Sequence, residues 1–161
     1  MKRLIVPSVL ILVGMAFCVA AEELEAVTLR FSQVTEVEGG SSEVLPYADP
    51  YVEPEFSSIK VEKVSLIDSS DIKSAYAFAD AVMGPTVGLD FTELGAKKFA
   101  EVTKRSIGKR LAIIIDGKVI SAPNIKDQIT GGKAVISGKF SMDDADALAR
   151  KINAGLPKTQ L

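Results

Sequence analysis

Gly108 to Pro123, GKRLAIIIDGKVISAP, constrains the fold more than any other stretch of the chain. Leu111 to Ile115 is a continuous apolar run with three isoleucines, bounded by Arg110 and Asp116. A run this short and this β-branched reads as a strand buried on both faces, since a half-buried strand would alternate. Asp116-Gly117 then predicts a two-residue type I′ turn, whose backbone needs positive φ at both central positions. Lys118 to Ala122 returns as the partner strand, with Val119 and Ser121 on one face and Lys118, Ile120 and Ala122 on the other. Pro123 ends it, because proline has no N–H to give a sheet ladder.

The rest of the chain reads as packing around this hairpin. Ala26 to Val37 alternates, with Val27, Leu29 and Phe31 on one face, and predicts a half-buried strand. Glu38 to Ser58 carries Gly39-Gly40, Ser41-Ser42 and Pro46, Pro50 and Pro54, and predicts a surface loop. Tyr47, Tyr51 and Phe56 in that loop either tack it onto the domain or offer an aromatic contact surface to a partner. Ile59 to Ile67 reads as a strand whose pattern switches face midway, and Asp68-Ser69-Ser70-Asp71 as a turn or helix start. Ser74 to Met83 fits a helical stripe, yet Tyr76 and Phe78 also alternate with Ala75, Ala77 and Ala79 as in a strand. Gly84-Pro85 is a break, and Thr86 to Phe91 a strand. Thr92 to Ile107 predicts an amphipathic helix with Ala96, Phe99, Ala100, Thr103 and Ile107 inward, capped by Thr92 and stopped at Gly108. Gly131-Gly132 turns into a strand over Lys133 to Gly138. Ser141 and Asp144 form a capping-box pattern for a last helix with Met142, Ala145, Leu148, Ala149 and Ile152 inward, closed by Gly155 and Pro157.

Composition removes several functions. There is no histidine, so the commonest general base and metal ligand are missing, together with every Ser-His or Cys-His pair. The single cysteine, Cys18, lies in a leader. Met1 to Ala21 has a basic start at Lys2 and Arg3, an apolar run from Leu4 to Phe17 and small residues for cleavage after Ala20 or Ala21. The expected divisions are therefore residues 1–21 as a signal peptide or uncleaved anchor, 22–58 as first strand and loop, and 59–158 as the main domain. Lipidation of Cys18 is a third fate for the leader, and Phe17 is bulky for it. The domain is expected in the periplasm or secreted, touching membrane only through an uncleaved leader. Without Lys2 and Arg3 the chain has 17 basic and 21 acidic residues, a charge of −4 that suits neither nucleic acid nor anionic lipid.

Catalytic readings find little footing. Asp90, Asp116, Asp143, Asp144 and Asp146 are the carboxylates of interest. Asp116 has a role as turn residue, and Asp143 and Asp144 have one as first-turn anions of a helix. Gly131-Gly132-Lys133 superficially resembles a phosphate loop but lacks its upstream glycine and following Ser/Thr. No base, nucleophile and orienting partner occur together.

Four segments taken in order carry a resemblance: VGLDFTELGAKKFAEVT (87–103), GKRLAIIIDGKVISAP (108–123), ITGGKAVISGKF (129–140) and ADALARKINAGLP (145–157). Together they resemble the head subdomain of the large periplasmic domain of SecD and SecDF, the protein-export membrane subunits. Asp71 to Ala75, DIKSA, resembles a family segment that precedes a hairpin, which favours a strand over Ser74 to Asp80. The resemblance implies an α+β fold, a mainly antiparallel sheet with two amphipathic helices packed on it. It implies a non-catalytic module without cofactor or metal that holds unfolded or extended polypeptide, beside a translocase or another envelope protein. It places Asp116, Gly117, Pro123, Gly131 and Gly132 at turns and assigns no ligand residue. The family's proton-coupled action belongs to a membrane domain, and no hydrophobic span follows Ala21, so a complete translocase subunit is not expected. Two alternatives remain: a structural domain of an envelope assembly, and a hydrolase using Asp90 with Asp116.

Overall fold

The computed structural model describes residues 25–36, 40–47 and 58–158. The leader with Cys18, and Tyr51 and Phe56, lie outside the described residues. In chain order the elements are β1 (Leu29–Gln33), β2 (Ser42–Pro46), β3 (Ser58–Glu62), β4 (Ile67–Asp68), β5 (Ile72–Asp80), β6 (Gly84–Phe91), α1 (Glu93–Arg105), β7 (Leu111–Ile115), β8 (Lys118–Ser121), β9 (Lys133–Ile136) and α2 (Met142–Ala154). They form sheets ordered β4-β1-β7-β8, β2-β3 and β5-β6-β9, and every strand pair is antiparallel. With two helices packed on them, this is the α+β class expected.

β7 is buried at all five positions because it has a core on each face. Leu111, Ile113 and Ile115 join the main core with Leu29, Phe31, Val87, Leu89, Phe99 and the inner face of α2. Ala112 and Ile114 join a second core with Ile59, Val61, Val119 and Ala122. Phe31, Phe91 and Phe99 tie the first sheet, β6 and α1 together, the last two stacked at 4.5 Å between ring centres. The turn between β7 and β8 has Asp116 at φ 48° and Gly117 at φ 75°, the type I′ geometry.

Five expectations change. Inside the expected loop, β2 pairs with β3 over five residues, and its Leu45 packs on the second core. The proline that suggested a loop, Pro46, sits at the end of this outer strand, where a missing N–H is tolerated. The single strand expected over 59–67 is two, β3 and β4; the switch of face midway marked the break. The expected break at Gly84-Pro85 is the start of β6. The turn is Ala81 to Met83, with Asp80 accepting from the N–H groups of Val82 and Met83 and Gly84 at φ 74°. This is a three-residue hairpin loop closed by a left-handed glycine. In β8 a bulge at Ile120 turns Ala122 to the Val119 side, so simple alternation fails there. In α1 the inward positions are Gly95, Phe99, Val102 and Thr103, while Ile107 lies beyond the helix and half-exposed; in α2 Met142 is exposed.

Two close approaches position the helices. The Asp71 carbonyl accepts from Thr92 N at 2.9 Å, and a Cβ on Gly95 would lie 2.1 Å from that oxygen. The Asp71 carboxylate is buried and accepts from Lys98 Nζ at 2.6 Å and Asp68 N at 3.1 Å. A Cβ on Gly155, after α2, would lie 2.2 Å from the Val27 carbonyl oxygen.

Candidate functional site

β5 is an edge strand nine residues long, paired on one side only, with β6. Its register with β6 runs unbroken from Ser74 to Asp80. The direction of its backbone groups is fixed at Ala75, whose N–H donates to Asn153 Oδ1 and whose carbonyl accepts from Asn153 Nδ2, both at 2.8 Å. Ala75 therefore points its polar groups away from β6. Backbone direction alternates along an antiparallel ladder, so Ala77 and Ala79 point outward too. Phe78 keeps the opposite phase, its carbonyl accepting from Thr86 Oγ1 of β6. Among the described residues, the outward groups of Ala77 and Ala79 have no partner. Unpaired edge groups of this kind are a template for another strand.

The side chains around this edge are apolar and partly exposed. Ala75 and Ala77 face the core. Tyr76 and Phe78 face the other side, with ring centres 5.8 Å apart. The Tyr76 ring lies over Gly88 of β6, where a Cβ would come within 2.5 Å of it. Val135 of β9, opposite Gly88, continues the row at 39% exposure, as exposed as Tyr76. One end of the row is closed by Lys133, whose Nζ lies 2.9 Å from Asp90 Oδ1 and 5.9 Å from the Tyr76 ring centre. The hydrogen bond and charge of Asp90 raise the Lys133 pKa above its ordinary value. The other end runs to the hairpin tip, where Val82 is 93% exposed and Met83 is close to half-exposed.

Of the residues singled out from sequence, Asp90 holds Lys133 at the end of this row, and the other described ones serve turns or core contacts. Asp116 Oδ1 accepts from Thr28 N at 2.8 Å, tying the turn that Asp116 makes with Gly117 to the residue leading into β1. The carbonyl of Pro123 accepts from Leu111 N and that of Gly132 from Phe91 N. Gly132 has φ 66° and follows Gly131 into β9. Tyr47 is partly buried on the second core, bridged to Val119, with the Arg110 guanidinium 5.9 Å from its ring. Asp90 and Asp116 stand on different sheets and share no partner. Among the described residues no acidic, histidine or cysteine side chains cluster as a metal site would need. The Tyr76–Phe78 row was visible in the sequence as alternation with three alanines. Asn153 gave no signal, because its partner is a backbone 78 residues away.

With antiparallel sheets, two packed helices and a bare strand edge on β5, the described residues form an α+β module. Residues 42–157 match the family described as SecDF, P1 head subdomain, and the chain belongs to that family. It is 48% identical over 90 residues to the protein translocase subunit SecDF of Thermus thermophilus, covering 56% of this chain and 12% of that protein. It is 45% identical over 91 residues to the protein translocase subunit SecD of Sebaldella termitidis, covering 56% and 22%. A solved SecDF in a super-membrane-facing form superposes with a TM-score of 0.67 at 35% identity, over 81% of this chain and 19% of that one. A second, of a membrane component SecDF that enhances protein export, gives 0.65 at 34% identity, over 82% and 64%. The chain thus spans less than a quarter of these two curated relatives. Among its described residues no helix is long and apolar enough to cross a membrane.

Proposed function

We propose that this chain is an extracytoplasmic, non-catalytic module of the protein-export type that holds extended polypeptide by adding it as a strand to β5. The observation that carries the reading is the pair of outward-facing backbone units at Ala77 and Ala79, unpartnered among the described residues. Strand addition draws affinity from main-chain hydrogen bonds, so it tolerates many sequences, as a module serving unfolded chains must. The partly exposed row of Tyr76, Phe78 and Val135 adds apolar contact on one side. The translocase names of its relatives support a place beside export machinery. The leader read in the sequence supports a site outside the cytoplasmic membrane.

The test is Ala79→Pro in the full chain. It removes an outward N–H without touching a bond to β6, so the fold is retained. Binding to a reductively unfolded precursor is expected to weaken roughly three- to tenfold, as for one main-chain hydrogen bond. Unchanged binding, or equal binding of the folded precursor, contradicts the reading.

A further inference from the structure

We propose that Asn153 is a built-in stop that sets the register of a strand added to β5, an inference that rests on the reading above. A carboxamide is the side-chain analogue of a peptide unit. Asn153 donates to and accepts from Ala75 at 2.8 Å each, as the next strand of a sheet would. The edge is thus seen accepting an amide, and its first position is already filled. Beyond Ala75 the ladder is irregular, since the register with β6 shifts between Ile72 and Ser74. An incoming strand is blocked at that end by both features. It is left the backbone units of Ala77 and Ala79 and the way out over the hairpin tip.

That register decides the chemistry of the guest. Side chains opposite Tyr76 and Phe78 share their face of the sheet. Guest residues there lie against two aromatic rings, and residues past Ala79 meet Val82 and Met83. The occupant is an extended segment with bulky apolar residues at alternate positions, and no charge at those positions.

The experiment uses the full chain and a soluble peptide with Val, Phe and Ile alternating with Thr and Ser and a lysine at each end. The peptide is isotope-labelled, and its protected amides are mapped by hydrogen exchange. With the unaltered chain, the protected peptide amides are those facing Ala77 and Ala79. Asn153→Ala frees Ala75, so protection extends two residues along the peptide and affinity rises about three- to tenfold for the added pairing. Asn153→Asp sets a carboxylate against the Ala75 carbonyl, which repels it from the edge. It serves if the alanine variant fails to fold, and the same extension of protection is then expected. Binding with the same protected amides in every variant overturns the register stop and leaves the binding reading standing. Absence of protected peptide amides with the unaltered chain overturns both.

Discussion

Two glycines show how differently one atom can weigh. At Gly95 a Cβ would press on the Asp71 carbonyl oxygen at 2.1 Å, and that oxygen is held by Thr92 N. Neither backbone can yield without moving α1. Gly95→Ala is expected to cost about 2–3 kcal/mol in denaturant unfolding, the upper range for overpacking. At Gly88 the obstacle is the far end of the Tyr76 ring, which can lift off the sheet. Gly88→Ala is expected to cost about 1 kcal/mol or less, while raising exposure of Tyr76 as read by its fluorescence quenching. Neither glycine stood out in the sequence. A turn glycine announces itself through its neighbours, as Asp116-Gly117 did, whereas a close approach depends on what the fold brings opposite.

At the scale of elements, the central hairpin was legible because one composition satisfies one environment. Five apolar residues in a row need a core on both sides, and β7 has both. Ile114→Ala, on the second-core side, is expected to cost about 2–5 kcal/mol in equilibrium unfolding, as for other buried isoleucines. The caps were legible for the same reason, since Ser141 and Asp144 meet within one turn and hold α2 whatever lies beyond. What was not legible depended on long-range pairing. β2 had too few apolar residues to declare itself and is made a strand by β3. The tyrosine–phenylalanine alternation left helix and strand open until β6 was available as its partner. The inward stripe of α1 was rotated because Gly95, with no side chain, carried no hydrophobic signal for the face that packs on Asp71.

Across the whole molecule, three carboxyls and one lysine give stability a dependence on pH. Asp68 has its pKa lowered mainly by the Ser70 hydroxyl, Asp144 by the Ser141 hydroxyl, and Asp80 by the N–H groups of Met83 and Val82. A carboxyl that is more acidic when folded favours folding above its unfolded value and loses that contribution as pH falls through its folded one. Stability is therefore expected to hold from neutrality down to the ordinary value of 3.8 and to fall below it, as read by thermal unfolding against pH. Lys133 is the reverse case: its raised pKa favours folding below the ordinary 10.5, a contribution lost as pH rises through the folded value. The same lysine lies against one end of the aromatic row, so the row is expected to loosen as pH rises through the Lys133 value.

The proposed function rests on the open edge of β5, and one measurement addresses it directly. Amide hydrogen exchange at Ala77 and Ala79 would be followed in the full chain, alone and with an unfolded precursor or its folded form. Both amides are expected to exchange fast in the free chain and to slow with the unfolded precursor alone, while Phe78 is protected throughout by β6. Equal exchange at Ala77 and Ala79 with and without the unfolded chain would contradict it.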